Sequence, residues 1–251
     1  MTISLIIPIY NEARHLEAFL KQLDTLALSL PKELIFVDDC SSDDSLKILN
    51  SYNFASNFKI FHQECNQGKG AALQRGILEA TGDFIGIQDA DFEYRMSDIN
   101  SLLQPLINDE ADVVYGSRFH KNNHQVHRTF HYLINRFLTL CSNLMSGLYL
   151  SDMETCYKFF KAEILINIKL ESKAFGFEPE ITAKLGKLKV RVMELPISYY
   201  PRNYLEGKKI SWKDGFAALK HIAYFNLFVS KNDCLRAGLP KSYIPLDKNL
   251  L

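Results

Sequence analysis

The sequence predicts an α/β domain in which a mostly parallel sheet is covered by helices on both faces. Apolar runs of strand length alternate with helical patterns through the first half of the chain. Those runs are apolar at successive residues, as strands buried on both faces are, and the connections between elements are short. A chain of 251 residues can bury one large core but not two comfortable ones, so residues 1–251 are expected to form a single domain.

The strands are expected at 3–10 (ISLIIPIY), 33–39 (ELIFVDD), 58–63 (FKIFHQ), 83–90 (DFIGIQDA) and 111–117 (ADVVYGS). Between them, helices are expected at 12–30, at 42–50 with Ser41 and Ser42 as cap candidates, at 69–80, and at 97–108 starting from Ser97. Beyond the fifth strand, Phe130, Leu133, Ile134, Phe137, Leu138, Cys141, Leu144 and Met145 recur at helical spacing, the pattern of an amphipathic helix.

Composition narrows the classes. The five cysteines, Cys40, Cys65, Cys141, Cys156 and Cys234, are scattered and include no C-x-x-C pair, which argues against a disulfide framework or a zinc site and fits a reducing cytosol. The opening MTISLIIPIYNE lacks a basic n-region and reads as a strand instead of a signal peptide. The longest apolar stretches, 132–150 and 216–229, are interrupted by polar residues or too short for a bilayer. The formal charge of zero hides an asymmetry: residues 1–117 carry 8 Lys/Arg against 18 Asp/Glu, and residues 118–251 carry 21 against 11. An acidic half suits a site that recruits a divalent cation, and a basic half suits phosphates or an anionic membrane surface, although ordinary solvated faces would account for the charge alone.

In a parallel sheet of this kind, ligands sit outside the carboxyl ends of the strands. There the chain places PIYNE, VDDCSSDD, NQGKG, QDAD and GSR, one after each strand in order. No G-x-G-x-x-G follows the first strand, and no G-x-x-x-x-G-K-[ST] occurs, so acidic strand ends would meet a diphosphate through a metal. Asp89 and Asp91, one residue apart at a strand end, offer hard oxygen ligands that suit Mg²⁺ or Mn²⁺. A solvated turn would explain a lone D-x-D; five polar strand ends on one edge make a coincidence harder to accept. Asp43 and Asp44 read as helix N-terminal acids.

Together these motifs resemble the family 2 glycosyltransferases of the nucleotide-diphospho-sugar (GT-A) fold, and more narrowly the dolichol-phosphate mannose synthase and polyprenyl-phosphate glycosyltransferase branch. The resemblance spans residue 3 to about 215. It implies a nucleotide-sugar half over 1–117 and an acceptor and membrane-interface half over 118–251. It implies that Pro8, Tyr10 and Glu12 line the base and ribose pocket, that Asp39 contacts the nucleoside, and that Lys69 of GKG meets a phosphate or the base edge. Asp89 and Asp91 would hold the metal and the diphosphate, Asp91 as a catalytic residue. Glu93 would join them, where related sequences often have glutamine. Arg118, Arg128 and Arg202 would bind an acceptor phosphate, to which guanidinium groups are suited.

The implied reaction is inverting transfer of a sugar from a UDP- or GDP-sugar to a polyprenyl phosphate at the cytoplasmic face of a membrane. The helix over 130–150 would lie peripherally at the lipid interface, with a homodimer or a membrane partner protein as the other way to cover it; no nucleic-acid partner is expected. A hydroxyl acceptor would instead need a general base, for which Asp152, Glu154, Glu178 and Glu180 are candidates. A non-catalytic nucleotide-sugar binder is the third reading.

Overall fold

The computed structural model describes residues 1–119, 129–174, 176–201 and 212–245. It places β1 (Ile3–Ile9), β2 (Lys32–Asp38), β3 (Asn57–His62), β4 (Phe84–Ile87), β5 (Val113–Ser117), β6 (Lys158–Lys161) and β7 (Val192–Pro196) in one sheet, ordered β3-β2-β1-β4-β6-β5-β7. All strands run parallel except β6, which is antiparallel to both neighbours. The five expected strands are present. The two additional ones carry weak signals: β6 is four residues long and begins at a lysine, and β7 is a half-exposed edge.

Ile3, Leu5, Ile6, Ile7 and Ile9 of β1 are all fully buried, as the continuous apolar run requires of a central strand covered on both faces. Helix α1 (Ala13–Thr25) buries Leu16, Phe19, Leu20 and Leu23, a single stripe at helical spacing. It ends five residues short of the expected 30. The Lys32 ammonium donates to the carbonyls of Leu23, Asp24 and Leu26 at 2.6–2.7 Å, which satisfies the helix terminus there.

Helix α2 (Ser45–Ser51) starts three residues later than expected, because Ser41 and Ser42 are not its caps. Ser41 Oγ accepts from the Asn11 amide at 3.0 Å, and the Ser42 amide donates to Asn11 Oδ1 at 2.8 Å. Asn11 makes this tie from a left-handed conformation (φ 55°) that asparagine tolerates better than most residues. Asp43 bridges the starts of both helices, accepting from the Ala13 and Ser45 amides. Helix α3 (Lys69–Glu79) falls as expected, and α4 (Ile99–Ile107) follows a 3₁₀ turn at Met96–Asp98 that contains Ser97. In the second half, α5 (Thr129–Ser146), α7 (Phe177–Leu185) and α8 (Trp212–Leu227) pack on one another, while the short α6 (Ala162–Leu165) follows β6.

The topology positions the site. Strands β2 and β3 lie on one side of β1 and β4 on the other, so the chain reverses direction across the sheet between β1 and β4, where a crevice opens at the carboxyl edge. Because β6 runs backwards, the segment before it, 151–157, arrives at that same edge between the ends of β4 and β5. The parallel β7 brings residues 197–200 there as well.

Candidate active site

Asp89 and Asp91 follow β4 at the crevice, and each carboxylate has a local partner. Lys69 Nζ lies 2.9 Å from Asp89 Oδ1 and 3.1 Å from Oδ2, and reaches Glu178 Oε1 on the first turn of α7 at 3.3 Å. Burial works against the ammonium, but the Asp89 and Glu178 charges outweigh it and hold the Lys69 pKa well above the ordinary lysine value. Asp91 Oδ1 accepts from the Glu93 amide at 3.0 Å, an Asx-type turn that folds the loop back on itself. Glu93 accepts at Oε2 from the Tyr199 hydroxyl at 3.0 Å, and its carbonyl accepts from the Tyr200 amide at 2.7 Å.

Among the described residues no three His, Cys, Asp or Glu side chains gather as a metal-binding group. Lys69 pairs with Asp89, and Tyr199 donates to Glu93. Hard carboxylate oxygen at this edge still fits a Mg²⁺ or Mn²⁺ ion, which takes one or two protein carboxylates and completes its shell with phosphate and water.

The glycines of NQGKG serve a close approach, though to the protein's own backbone. Gly68 sits at φ +94°, and a Cβ on Gly70 would lie 2.2 Å from the Ser172 carbonyl oxygen. The Gly70 and Ala71 amides donate to the carbonyls of Ala174 and Lys173, which docks the 172–174 loop on the start of α3 and brings α7 with Glu178 to Lys69. Gly70→Ala is therefore expected to push this loop away, separate Glu178 from Lys69 and lower the thermal midpoint, since a 2.2 Å backbone contact cannot be relaxed by a rotamer change. Thermal unfolding of the variant reads the loss.

Asp39 is buried and organises the loop that α3 follows. Oδ1 accepts from the Gln63 side chain and the Gln67 amide, both at 2.8 Å, and Oδ2 from the Gly68 amide at 2.7 Å. Pro8 lies within β1 at the crevice, Tyr10 is exposed just after it, and Glu12 stands at the N-cap of α1 with its amide donating to Ser45 Oγ. All four lie in β1 or in the segments that follow β1 and β2.

Arg118 at the end of β5 is almost wholly buried and pairs in bidentate fashion with Asp152: Nε to Oδ2 at 2.7 Å and Nη2 to Oδ1 at 2.8 Å, with the Arg118 amide also donating to Oδ2. Glu194 of β7 fixes the other side of this loop by accepting from the Ser151 and Asp152 amides. Asp152 is thus occupied by a guanidinium, and Glu180 is occupied by Lys184 and the Glu171 and Ser172 amides, which leaves neither placed as a free base. Arg128 and Arg202 lie outside the described residues.

Several site neighbours carry no signal in the sequence. Tyr94 stacks on Tyr157 at 4.7 Å and tilts against Tyr199 at 5.4 Å, so two distant segments brace the end of the Asp89–Glu93 loop. The Tyr157 hydroxyl donates to Gln88 Oε1 at 2.6 Å, and the Cys156 amide donates to the Tyr94 hydroxyl. Burial and the Asp89 charge raise the Cys156 thiol well above its usual range, so it stays a thiol beside Asp89. Lys158 is fully buried, donating to the Met153 and Thr155 carbonyls over the Tyr115 ring, and burial lowers its pKa.

A family model described as Glycosyl transferase family 2 matches residues 4–168, which include Asp39, Lys69, Asp89, Asp91 and Arg118. The chain belongs to glycosyl transferase family 2. This family 2 chain is 28% identical over 227 residues to a dolichyl-phosphate beta-glucosyltransferase of Trichomonas vaginalis, covering 83% of this chain and 68% of the relative. It is 28% identical to a dolichol-phosphate mannosyltransferase of Pyrococcus furiosus, covering 88% and 63%. It is 29% identical to an undecaprenyl-phosphate mannosyltransferase of Micrococcus luteus, covering 83% and 87%. It thus spans roughly two thirds of the length of the first two. Among solved structures, the glucosyl-3-phosphoglycerate synthase of Mycobacterium tuberculosis, in complex with Mn²⁺, UDP and product, superposes with a TM-score of 0.66 at 18% identity over 90% of this chain and 80% of that one. The fold is GT-A, as the strand-end motifs implied.

Proposed function

We propose that this family 2 glycosyltransferase moves a sugar, with inversion, from a UDP- or GDP-sugar to a polyprenyl phosphate on the cytoplasmic face of a membrane. The observation that carries the reading is the crevice between β1 and β4, at whose carboxyl edge Asp89, paired with Lys69, and Asp91 follow β4; Pro8, Tyr10, Glu12 and Asp39, from β1 and the segments after β1 and β2, would take the nucleoside. Three relatives named for dolichyl- or undecaprenyl-phosphate transfer support the acceptor class.

A phosphate monoester is already anionic near neutral pH and can attack without a base. Its oxygen forms a bond to C1 of the sugar as the bond from C1 to the β-phosphate oxygen breaks, and the electron pair leaves with the diphosphate. The chain's part is positioning. Asp91 and Asp89 would hold a Mg²⁺ or Mn²⁺, which supplies charge neutralisation at the departing diphosphate. Lys69, although paired with Asp89 and Glu178, would add positive charge beside them, and Arg118, whose Nε and Nη2 are held by Asp152, would offer its remaining donors to the acceptor phosphate together with Arg128 and Arg202.

No described helix is long and apolar enough to cross a membrane. Peripheral contact is supported by the outer faces of α5 and α8, which pack together and expose Leu133, Phe137 and Leu144 on one and Phe216, Tyr224 and Leu227 on the other.

Transfer of radiolabel from a panel of UDP- and GDP-sugars into organic-extractable product, with Mg²⁺ or Mn²⁺ and added polyprenyl phosphate, tests the reading. Label from one donor is the expected result. Nucleotide binding with no labelled lipid from any donor would remove the phosphate acceptor.

A further inference from the structure

Lys69 opens α3 between two carboxylates from distant parts of the chain. Its Nζ lies 2.9 Å from Asp89 Oδ1 and 3.1 Å from Oδ2, so one ammonium occupies both oxygens of Asp89, and it reaches Glu178 Oε1 at 3.3 Å. The pair with Asp89 is open to solutes, since Lys69 keeps 18% of its side-chain surface and Asp89 23%. Glu178 is the more enclosed partner, carried by α7, whose nine residues are all buried. The ammonium thus has one firm anchor and one accessible partner.

The start of α3 has few other donors to give a phosphate. Amides at a helix N-terminus are ordinary phosphate donors. Here the Gly68 amide donates to Asp39 Oδ2, and the Gly70 and Ala71 amides donate to the carbonyls of Ala174 and Lys173. With those amides engaged by the protein itself, the Lys69 side chain is what this turn presents to a diphosphate, as a point charge on a flexible stem. A divalent cation has the opposite requirement: it needs the Asp89 carboxylate, and an ammonium on both oxygens repels it.

We propose that Lys69 couples the two ligands. In the free chain it occupies Asp89 and opposes a divalent cation there; when a nucleoside diphosphate arrives, the ammonium turns to the phosphates, stays tied to Glu178 and yields Asp89 to the cation. Metal binding then depends on the nucleotide, and by linkage nucleotide binding depends on the metal by the same factor. The inference rests on the nucleotide-sugar reading above and adds how its two ligands depend on each other.

Mn²⁺ binding to the full chain, read from the EPR signal of the free ion, tests this without turnover. It is measured alone and with UDP or GDP, with the nucleotide's own chelation of Mn²⁺ as the blank. Lys69→Met is expected to bind Mn²⁺ roughly tenfold more tightly than the wild type when no nucleotide is present, to bind UDP or GDP more weakly without metal, and to lose most of the enhancement that the nucleotide gives to the ion. Lys69→Met combined with Glu178→Gln restores the net charge of the wild type and leaves no stranded carboxylate on α7; it is expected to gain Mn²⁺ affinity in the same direction. Lys21→Met, which removes an exposed lysine from the third turn of α1, is expected to leave Mn²⁺ binding unchanged. Thermal unfolding shows that each variant is folded.

Three outcomes overturn the inference: nucleotide-free Lys69→Met binding Mn²⁺ no more tightly than the wild type, an enhancement by nucleotide as large in that variant as in the wild type, or an equal gain in Lys21→Met. Failure of the nucleotide-sugar reading looks different, since neither UDP nor GDP then binds the wild type with or without Mn²⁺, whereas a failed coupling leaves that binding in place.

Discussion

Asp91→Ala is expected to lower sugar transfer by roughly a thousandfold while the protein stays folded, the scale of several kcal/mol of transition-state charge stabilisation. Asp91 stands after β4 at the crevice, half-buried, with its carboxylate accepting from the Glu93 amide two residues on. That bond is local to one turn, so its loss should cost about 1 kcal/mol of stability. The charge is what the reaction needs: the diphosphate must be held, and it departs whole with the electron pair of its bond to C1. Asp91→Asn separates the two contributions, because an amide oxygen can keep the turn bond while the charge is gone. Initial rates for both variants across Mg²⁺ and Mn²⁺ concentrations, with thermal midpoints alongside, provide the check. Near-normal turnover in Asp91→Asn would remove Asp91 from the diphosphate site.

Asp152→Ala should produce the largest loss of stability, about 3–5 kcal/mol, as removing one partner of a buried ion pair does. Arg118 is nearly buried, and three of its donors, including its amide, end on the Asp152 carboxylate. Burial works against the guanidinium, and Asp152 is the largest influence that restores its charge. Without Asp152 that charge stays in the wall of the crevice uncompensated. Arg118→Ala leaves the converse, a carboxylate with no exposure at all. Replacing both, as Arg118→Met with Asp152→Leu, should recover much of the loss, since apolar side chains of similar volume remove both desolvation penalties. Urea unfolding of Arg118→Met, Asp152→Leu and the variant carrying both gives the coupling directly; additive losses would show that the pair does not act as a unit.

The left half of the molecule was legible from its sequence because its information is local. β1, β2 and β4 announce themselves by unbroken apolar runs, and the residues after them, Tyr10 to Glu12, Asp38 to Asp39 and Asp89 to Asp91, fall at one edge in any parallel sheet. Helix ends were less legible. α1 stops where the Lys32 ammonium takes its last carbonyls, and α2 begins after two serines that turn back to Asn11 instead of capping it. Both outcomes depend on partners 6–31 residues away, which no local pattern contains.

By itself, then, the sequence determined the fold class and which acids follow the strands at the carboxyl edge, since periodicity and strand-end chemistry are properties of neighbouring residues. Only the tertiary structure decided what each acid does. The reversal of β6 carries Glu154, Cys156 and Lys158 to the edge. The docking of the 172–174 loop on Gly70 brings Glu178 to Lys69. The arrival of β7 gives Glu93 to Tyr199 and the 151–152 loop to Glu194. Each partnership joins residues tens to more than a hundred positions apart, and carboxylates are assigned by whichever donor packing brings within hydrogen-bond distance.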